Sequence, residues 1–224
     1  MIIQACLNGA RPASYHARLP LTARDMARDA VACLGAGAAE LHLHPRGPDG
    51  SESLRAVDQT VLFLRSVCPG TLIGVSTGAW IEGDEARTLD AIASWRVPPD
   101  YASVNLAEPN APAIMALLLS MGVGVEAGLA TLADAQRFVA LPVRSRVLRV
   151  LVEIEEQELA QADATADSIL ALLEAEKVQR PVLLHGFDAT TWHFVRRARR
   201  ARLSTRIGLE DGASRPGGGL ASGN

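Results

Sequence analysis

Short apolar runs alternate along the chain with longer stretches in which apolar residues recur every three or four positions. The first pattern is typical of buried strands and covers eight segments, residues 2–7, 40–44, 72–76, 101–105, 122–126, 147–153, 181–185 and 204–207. The second pattern is helical and covers residues 22–34, 54–67, 111–121, 131–139, 164–175 and 189–201. This alternation predicts a parallel sheet with helices packed against it.

Eight strands in 224 residues predict a compact α/β fold, the (β/α)8 or TIM barrel, near the lower end of its usual length. We expect one domain over residues 1–224, although two small domains would also fit. A Rossmann-like sheet is the alternative, but the first strand-to-helix turn, residues 7–12, lacks the three-glycine motif. Residues 212–224 are rich in glycine, so we expect a mobile tail and a short or truncated C-terminal end.

The composition indicates no particular function, but it makes several classes of function less plausible. With 48% hydrophobic residues, 21% charged residues and a net charge of -3, nothing predicts nucleic acid as a partner. No apolar stretch approaches the roughly 20 residues of a membrane span, so we expect a cytoplasmic protein. Lys177 is the only lysine, which disfavours both Schiff-base chemistry and a phosphate-binding P-loop. The three cysteines lack metal-binding spacing and are expected to be buried thiols.

Two histidines close the second predicted strand. His42 and His44 stand two residues apart, so their side chains point to the same face of the strand. Histidine is the commonest metal ligand at such a position, whereas a strand-end histidine bonded to a loop is the structural alternative. We therefore predict that the pair supplies two metal ligands.

A third ligand is available directly after the last predicted strand. Glu210 and Asp211 lie in the sequence Gly208-Leu209-Glu210-Asp211-Gly212, and two histidines with one carboxylate are a common ligand set of an open zinc site. Glu210 is the predicted ligand, and Asp211 is predicted to hydrogen-bond a neighbouring group. The alternative is a loop whose acids cap a helix.

Other polar residues also fall at predicted strand ends, where a TIM barrel assembles its active site. Ser76, Thr77 and Gly78 form either a turn or a site for a carboxylate or oxyanion. Arg206 would be costly to bury alone, so it requires Asp211 or a substrate carboxylate. The remaining candidates are Asn8, Arg11, Ser103, Asn105, Glu108 and Glu126. A metal in this ring would polarise a carbonyl group, which suits carbon–carbon bond chemistry and hydrolysis equally well.

In their order along the chain, three strand-end motifs resemble the β-keto acid cleavage enzymes. They are His42-Leu43-His44-Pro45-Arg46, Val75-Ser76-Thr77-Gly78 and Arg206-Ile207-Gly208-Leu209-Glu210-Asp211. The resemblance implies a (β/α)8 fold and a bound Zn2+. It also implies transfer between a small-molecule β-keto acid and acetyl-CoA, with acetoacetate and a new acyl-CoA as products. A homo-oligomer is expected on the same ground.

The resemblance also implies residue roles. His42, His44 and Glu210 match the zinc ligands, and Asp211 matches the base, acting with Arg206 and Ser76. Glu126 matches a further active-site glutamate, whereas Ser103 and Asn105 match positions that contact the substrate.

One departure concerns the substrate. Arg11 stands where family members usually carry a glutamate, which predicts a more acidic substrate. Two alternatives remain open: another metal-dependent TIM-barrel hydrolase or aldolase, and a non-catalytic protein that binds a ligand in the same pocket.

Overall fold

Eight parallel strands form a nearly closed barrel in the computed structural model, which describes all 224 residues. The strands are β1 (Ile3–Cys6), β2 (Glu40–Leu43), β3 (Leu72–Ser76), β4 (Tyr101–Asn105), β5 (Gly124–Leu129), β6 (Arg149–Ile154), β7 (Val182–Gly186) and β8 (Thr205–Ile207). Each of the strands β1 to β6 pairs with the next one in sequence, and β1 also pairs with β8. The seam between β7 and β8 is closed by a single bridge, Leu183 with Ser204. The predicted TIM barrel is confirmed.

Helices cover the outside of this barrel. They are α1 (Ala23–Gly35), α2 (Val57–Val67), α3 (Ala79–Glu82), α4 (Glu85–Ala93), α5 (Ala111–Ser120), α6 (Leu132–Ala140), α7 (Leu159–Ala175) and α8 (Thr191–Ala201). The sequence pattern did not predict α3 and α4, because both are short and Gly83 separates them in a left-handed conformation. No helix follows β8. None of the helices combines the length and the apolar character that crossing a membrane requires.

The apolar core lies between the sheet and the helices, where alternate strand residues such as Leu41, Ile73 and Val125 are fully buried. Local sequence fixes where several helices begin. The Thr22 side chain caps α1 by accepting from Asp25 N, and Thr131 and Asp134 form a reciprocal capping box at α6. These caps fix the strand-to-helix turns that surround the mouth of the barrel.

The inside of the barrel is polar below the mouth. Gln4 Nε2 donates to Glu40 Oε1 at 3.0 Å and to Tyr101 Oη at 2.9 Å. Arg149 Nε donates to Glu126 Oε2 at 2.6 Å, and its guanidinium also pairs with Glu40. All five side chains are buried, and Arg149 is the one cation that pairs with both acids of this layer.

Strand β5 is longer than predicted, and this changes the position of Glu126. The sequence pattern ended the strand at residue 126, whereas β5 continues through Gly128 to Leu129. Glu126 therefore lies within the strand, in the polar layer, and not at the strand end. The predicted end of the strand at residue 126 was wrong, because β5 runs three residues further.

The segment after residue 211 folds back along the barrel. Ala221 N donates to Ala213 O at 2.7 Å, and the Asn224 side chain bonds Leu209 N at 2.7 Å and Leu7 O at 2.9 Å. The expectation that residues 212–224 are mobile stays a prediction.

The polar layer predicts a large effect of one substitution. Arg149→Met should lower the free energy of unfolding by about 3–5 kcal/mol, because Glu126 and Glu40 stay buried without their cation. Urea denaturation measures this change. Arg144→Met is the control, because the Arg144–Glu176 pair is about half exposed and should contribute no more than about 1 kcal/mol. Equal effects of the two substitutions would contradict a structural role for the layer.

Candidate metal centre and active site

The three predicted ligands meet at the mouth of the barrel. His42 lies in β2, His44 directly follows it, and Glu210 lies in the turn after β8. Only β1 separates these two strands, so the turn after β8 reaches back over β1. Glu210 Oε1 is 3.7 Å from His42 Nε2 and 3.5 Å from His44 Nε2. One ligand atom from each residue lies within 4.8 Å of the other two.

Two neighbours hold Glu210 in this place. Arg206 Nη2 donates to Glu210 Oε1 at 2.7 Å. Gly9 passes so close that a Cβ atom on it would lie 2.4 Å from Glu210 Cγ, and its φ of +57° is in the left-handed region. Both the close approach to Glu210 and the left-handed backbone require glycine at position 9. The loop after β1 is thus shaped around the third ligand.

His44 is oriented from behind by a carboxylate. Its Nδ1 bonds Glu52 Oε1, and the other oxygen of Glu52 accepts from Trp80 Nε1 at 2.8 Å. Asn8 clamps the His44 backbone, donating to its carbonyl at 2.9 Å and accepting from its N–H at 2.9 Å. With Nδ1 occupied, Nε2 is the nitrogen that faces Glu210.

His42 is oriented from the polar layer below. Its Nδ1 lies 3.5 Å from Ser103 Oγ, and this hydroxyl donates to Glu126 Oε1 at 2.7 Å. Since Ser103 gives its proton to Glu126, the hydroxyl oxygen can only accept from His42. Glu126 therefore orients the His42 imidazole through Ser103. It does not line the open cavity at the mouth of the barrel.

The donor set fits a divalent metal. Both Nε2 atoms point to one carboxylate, and Glu210 Oε2 is buried without any hydrogen-bond partner. Burial opposes ionisation of Glu210, but Arg206 and the two imidazoles hold its pKa well below its usual range. Burial lowers the pKa of His42 to about 4, which keeps that imidazole neutral and able to coordinate. Two imidazoles and one carboxylate are a zinc-type set with an open position.

Arg206 and Asp211 form an ion pair beside these ligands. Asp211 Oδ1 accepts from Arg206 Nε at 3.0 Å and lies 2.8 Å from Nη2. Both side chains are almost completely buried. His185 Nδ1 is 3.3 Å from the same oxygen, whereas Asp211 Oδ2 has no partner. Asp211 Oδ2 is thus a buried acceptor whose lone pairs no protein group uses.

A cavity of about 490 Å³ opens at these groups. Eight of the predicted site residues line it, namely Arg11, His42, His44, Ser76, Ser103, Asn105, Arg206 and Glu210. The others lie behind the lining and support it. Thr77 donates to Ser103 O at 2.8 Å, Gly78 N donates to Ser76 Oγ at 3.2 Å, and Glu108 accepts from Ala79 N at 2.9 Å.

Arg11 is neutralised within the protein. Its Nη2 pairs with Asp188 Oδ1 at 2.8 Å, and its Nε donates to Glu210 O at 3.0 Å. The guanidinium also lies 4.3 Å from the centre of the Tyr15 ring. Arg11 therefore does not present the unpaired cation on which the expectation of a more acidic substrate depended.

No local sequence pattern indicated a place at the site for Glu52, Trp80, Arg149 and Asp188. Glu52 lies eight residues beyond His44, in a loop that has no periodic pattern. A coordinating histidine needs an acceptor on its second nitrogen, so an acid close behind the pair was the one available signal. The partners of Arg149 and Asp188 are distant in sequence, and no local pattern connects them.

The fold and the site define a TIM barrel with a candidate metal centre at the carboxyl ends of its strands. A model of the β-keto acid cleavage enzyme family matches residues 1–139, and the chain belongs to this family. The 3-keto-5-aminohexanoate cleavage enzyme of Acetoanaerobium sticklandii is 28% identical over 113 residues, which are 49% of this chain and 40% of that protein. The chain thus spans less than half of this relative.

Solved structures share the fold. Apo ObcA superposes with a TM-score of 0.69 at 18% identity, over 92% of this chain and 59% of ObcA. The 3-dehydroquinate dehydratase of Geobacillus kaustophilus gives a TM-score of 0.65 at 16% identity, over 97% of this chain and 85% of that protein. At these identities the likeness extends to the barrel alone.

Glu52 is predicted to tighten metal binding. Glu52→Gln should raise the dissociation constant for Zn2+ roughly 10- to 100-fold, because the substitution weakens the acceptor on His44 Nδ1. Competition with a chromophoric chelator measures this constant without any assay of activity. Asp49→Asn is the control in the same loop, since Asp49 bonds only Ser51. Equal affinities of the wild type and Glu52→Gln would refute the role.

Proposed function

We propose that this protein is a zinc-dependent β-keto acid cleavage enzyme. It would transfer the acyl group of a β-keto acid to CoA, with acetyl-CoA as cosubstrate, so that acetoacetate and a new acyl-CoA are formed. The observation that carries the proposal is the convergence of His42, His44 and Glu210 beside the Arg206–Asp211 pair, in a chain that belongs to this family.

His42, His44 and Glu210 would hold the metal. When bound there, zinc supplies a Lewis acid that polarises the keto oxygen and makes the adjacent carbon–hydrogen bond more acidic. The buried Glu210 Oε2, which has no protein partner, supports this assignment.

Arg206, Asp211 and Ser76 would act on the keto acid itself. Arg206 lines the cavity, and its Nη1 makes no hydrogen bond within the protein. This nitrogen is the group that would bind the substrate carboxylate. Asp211 Oδ2 would take the proton from the carbon between the two carbonyl groups and return it to acetoacetate. The Ser76 hydroxyl would donate to a substrate oxygen.

The remaining predicted site residues have one of two roles in this proposal, contact with the substrate or positioning of the groups that make such contacts. Ser103 and Asn105 line the cavity and would contact the substrate. Asn8, Thr77, Gly78, Glu108 and Glu126 would position those groups, because each contacts the lining from behind. For Glu126, this positioning role replaces the direct catalytic role that the resemblance implied. Homo-oligomer formation stays a prediction, which light scattering would test.

The first experiment tests metal and activity together. We expect near-stoichiometric zinc in the purified protein and its loss in the His42→Ala, His44→Ala double variant, as measured by elemental analysis. The zinc-loaded wild type should form acetoacetate from acetyl-CoA and at least one member of a β-keto acid panel.

Other outcomes separate the alternatives. Turnover of a β-keto acid without any CoA would favour a hydrolase or aldolase. No acetoacetate from the whole panel with zinc bound would refute the proposed reaction, and tight binding without turnover would favour a binding protein.

Asp211→Asn tests the proposed base. It should lower kcat roughly 10²- to 10⁴-fold, because the amide cannot accept the proton, with a smaller effect on KM. Asp188→Asn is the matched control, because it also removes an acid that pairs with an arginine but lies at the exposed rim. Unchanged zinc content in both variants would exclude loss of the metal as the cause. A similar kcat in wild type and Asp211→Asn would assign the proton transfer to another group.

A further inference from the structure

A histidine that the proposed chemistry leaves unused is buried beside the proposed base. His185 in β7 is fully buried, and neither ring nitrogen makes a hydrogen bond within the protein. Its Nδ1 lies 3.3 Å from Asp211 Oδ1, and its Nε2 lies 3.9 Å from Glu153 Oε2. The distance to Asp211 is within hydrogen-bond range, although the angle is not. Hydrogen bonds of catalytic groups are often poorly aligned before substrate binds and tighten afterwards.

His185 is shielded from the cavity, which it does not line. The Phe187 ring lines the cavity and packs edge to face against the imidazole, with 4.9 Å between the two ring centres. His185 can therefore affect a bound substrate only through its neighbours.

The main chain of Asp211 is fixed, whereas its carboxylate is held at one oxygen. Asp211 N donates to Gly208 O at 3.0 Å, and Asp211 O accepts from Thr191 Oγ1 at 2.9 Å. Arg206 contacts only Oδ1, and its Nη2 is shared with Glu210. A carboxylate bound through one oxygen can still rotate about its Cβ–Cγ bond. A second donor from another direction restricts this rotation.

The surroundings of the His185 ring determine which nitrogen carries the proton. Burial and the charge of Arg206 lower the pKa of His185, so the imidazole is neutral and has one donor and one acceptor. A lone pair on Nδ1 would be repelled by the Asp211 carboxylate, which favours the proton on Nδ1. Burial raises the pKa of Glu153 to about 8, which the charge of Arg206 only partly offsets. A protonated Glu153 is a donor that suits the acceptor Nε2.

We propose that His185 is a positioning residue for the base and donates its Nδ1–H to Asp211 Oδ1. The inference rests on the proposed function, in which Asp211 Oδ2 takes the substrate proton. With Arg206 and His185 both on Oδ1, the carboxylate is fixed from two directions, and Oδ2 stays the oxygen without a protein partner. On its other side the ring accepts from Glu153, which keeps the proton on Nδ1.

The test removes the N–H donor from the zinc-loaded enzyme. His185→Phe should lower kcat roughly 10- to 100-fold, as for loss of a hydrogen bond to a charged group, and change KM by less than about threefold. His185→Asn retains an N–H at a similar position and should recover kcat to within about fivefold of the wild type. His193→Phe is the matched control, because His193 in α8 pairs with Asp163 on the outside of the barrel, and it should leave kcat unchanged.

A double variant distinguishes action through Asp211 from a general effect on packing. Adding His185→Phe to Asp211→Asn should not lower kcat further, because the base that His185 positions is already lost. An equal loss in both backgrounds, or equal kcat in His185→Phe and the wild type, would overturn the inference and leave the proposed reaction in place. Weaker zinc binding by His185→Phe in chelator competition would also overturn it, since the effect would then act through the metal site.

A measurement without substrate decides if no β-keto acid reacts or if His185→Phe does not fold. Nitrogen-15 NMR of the wild type should show a neutral His185 ring with a protonated Nδ1, and the signals are assigned by their absence in His185→Asn. Asp211→Asn should shift the Nδ1 signal. A proton on Nε2 or on both nitrogens would overturn the inference. Because the tautomer does not depend on the reaction, failure of the proposed function and failure of this inference are distinguishable.

Discussion

A buried arginine determines the geometry of the site. Arg206 is only 2% exposed, and a guanidinium inside a barrel is tolerated only when its charge is paired. The two acids that pair with it follow four and five residues later, so the chain must turn back directly after β8. This turn carries Glu210 over β1 to the imidazoles of His42 and His44. The arrangement of the candidate metal ligands thus follows from neutralising Arg206.

Each imidazole is also held from behind by a carboxylate, but along different routes. Glu52 reaches His44 from a loop outside the barrel, whereas Glu126 reaches His42 through Ser103 from inside it. Glu126 is itself fixed by Arg149. The polar layer below the mouth therefore has two effects, since it fills the barrel with paired charges and fixes the direction of one ligand.

The sequence predicted those features of the fold and of the candidate site that depend on local periodicity. The two-residue spacing of His42 and His44, and an acid after the last strand, sufficed to predict that three candidate ligands lie together, because strand geometry projects such residues to one place. Glu126 was misplaced because the apolar run was taken to end at residue 126, whereas β5 continues to Leu129. The neutralisation of Arg11 was beyond prediction, since its partner Asp188 lies 177 positions away and only barrel closure brings them together.

Closure of the barrel and completion of the site depend on each other. The family model ends at residue 139, whereas Arg206, Glu210 and Asp211 all belong to the last strand and its turn. That strand has three residues, all paired with β1, but on the side of β7 there is only the bridge made by Ser204, directly before the strand. A metal held by His42, His44 and Glu210 would tie this turn to β2. The free energy of metal binding would be gained only when the barrel is closed. Metal binding would therefore stabilise the segment that carries Glu210.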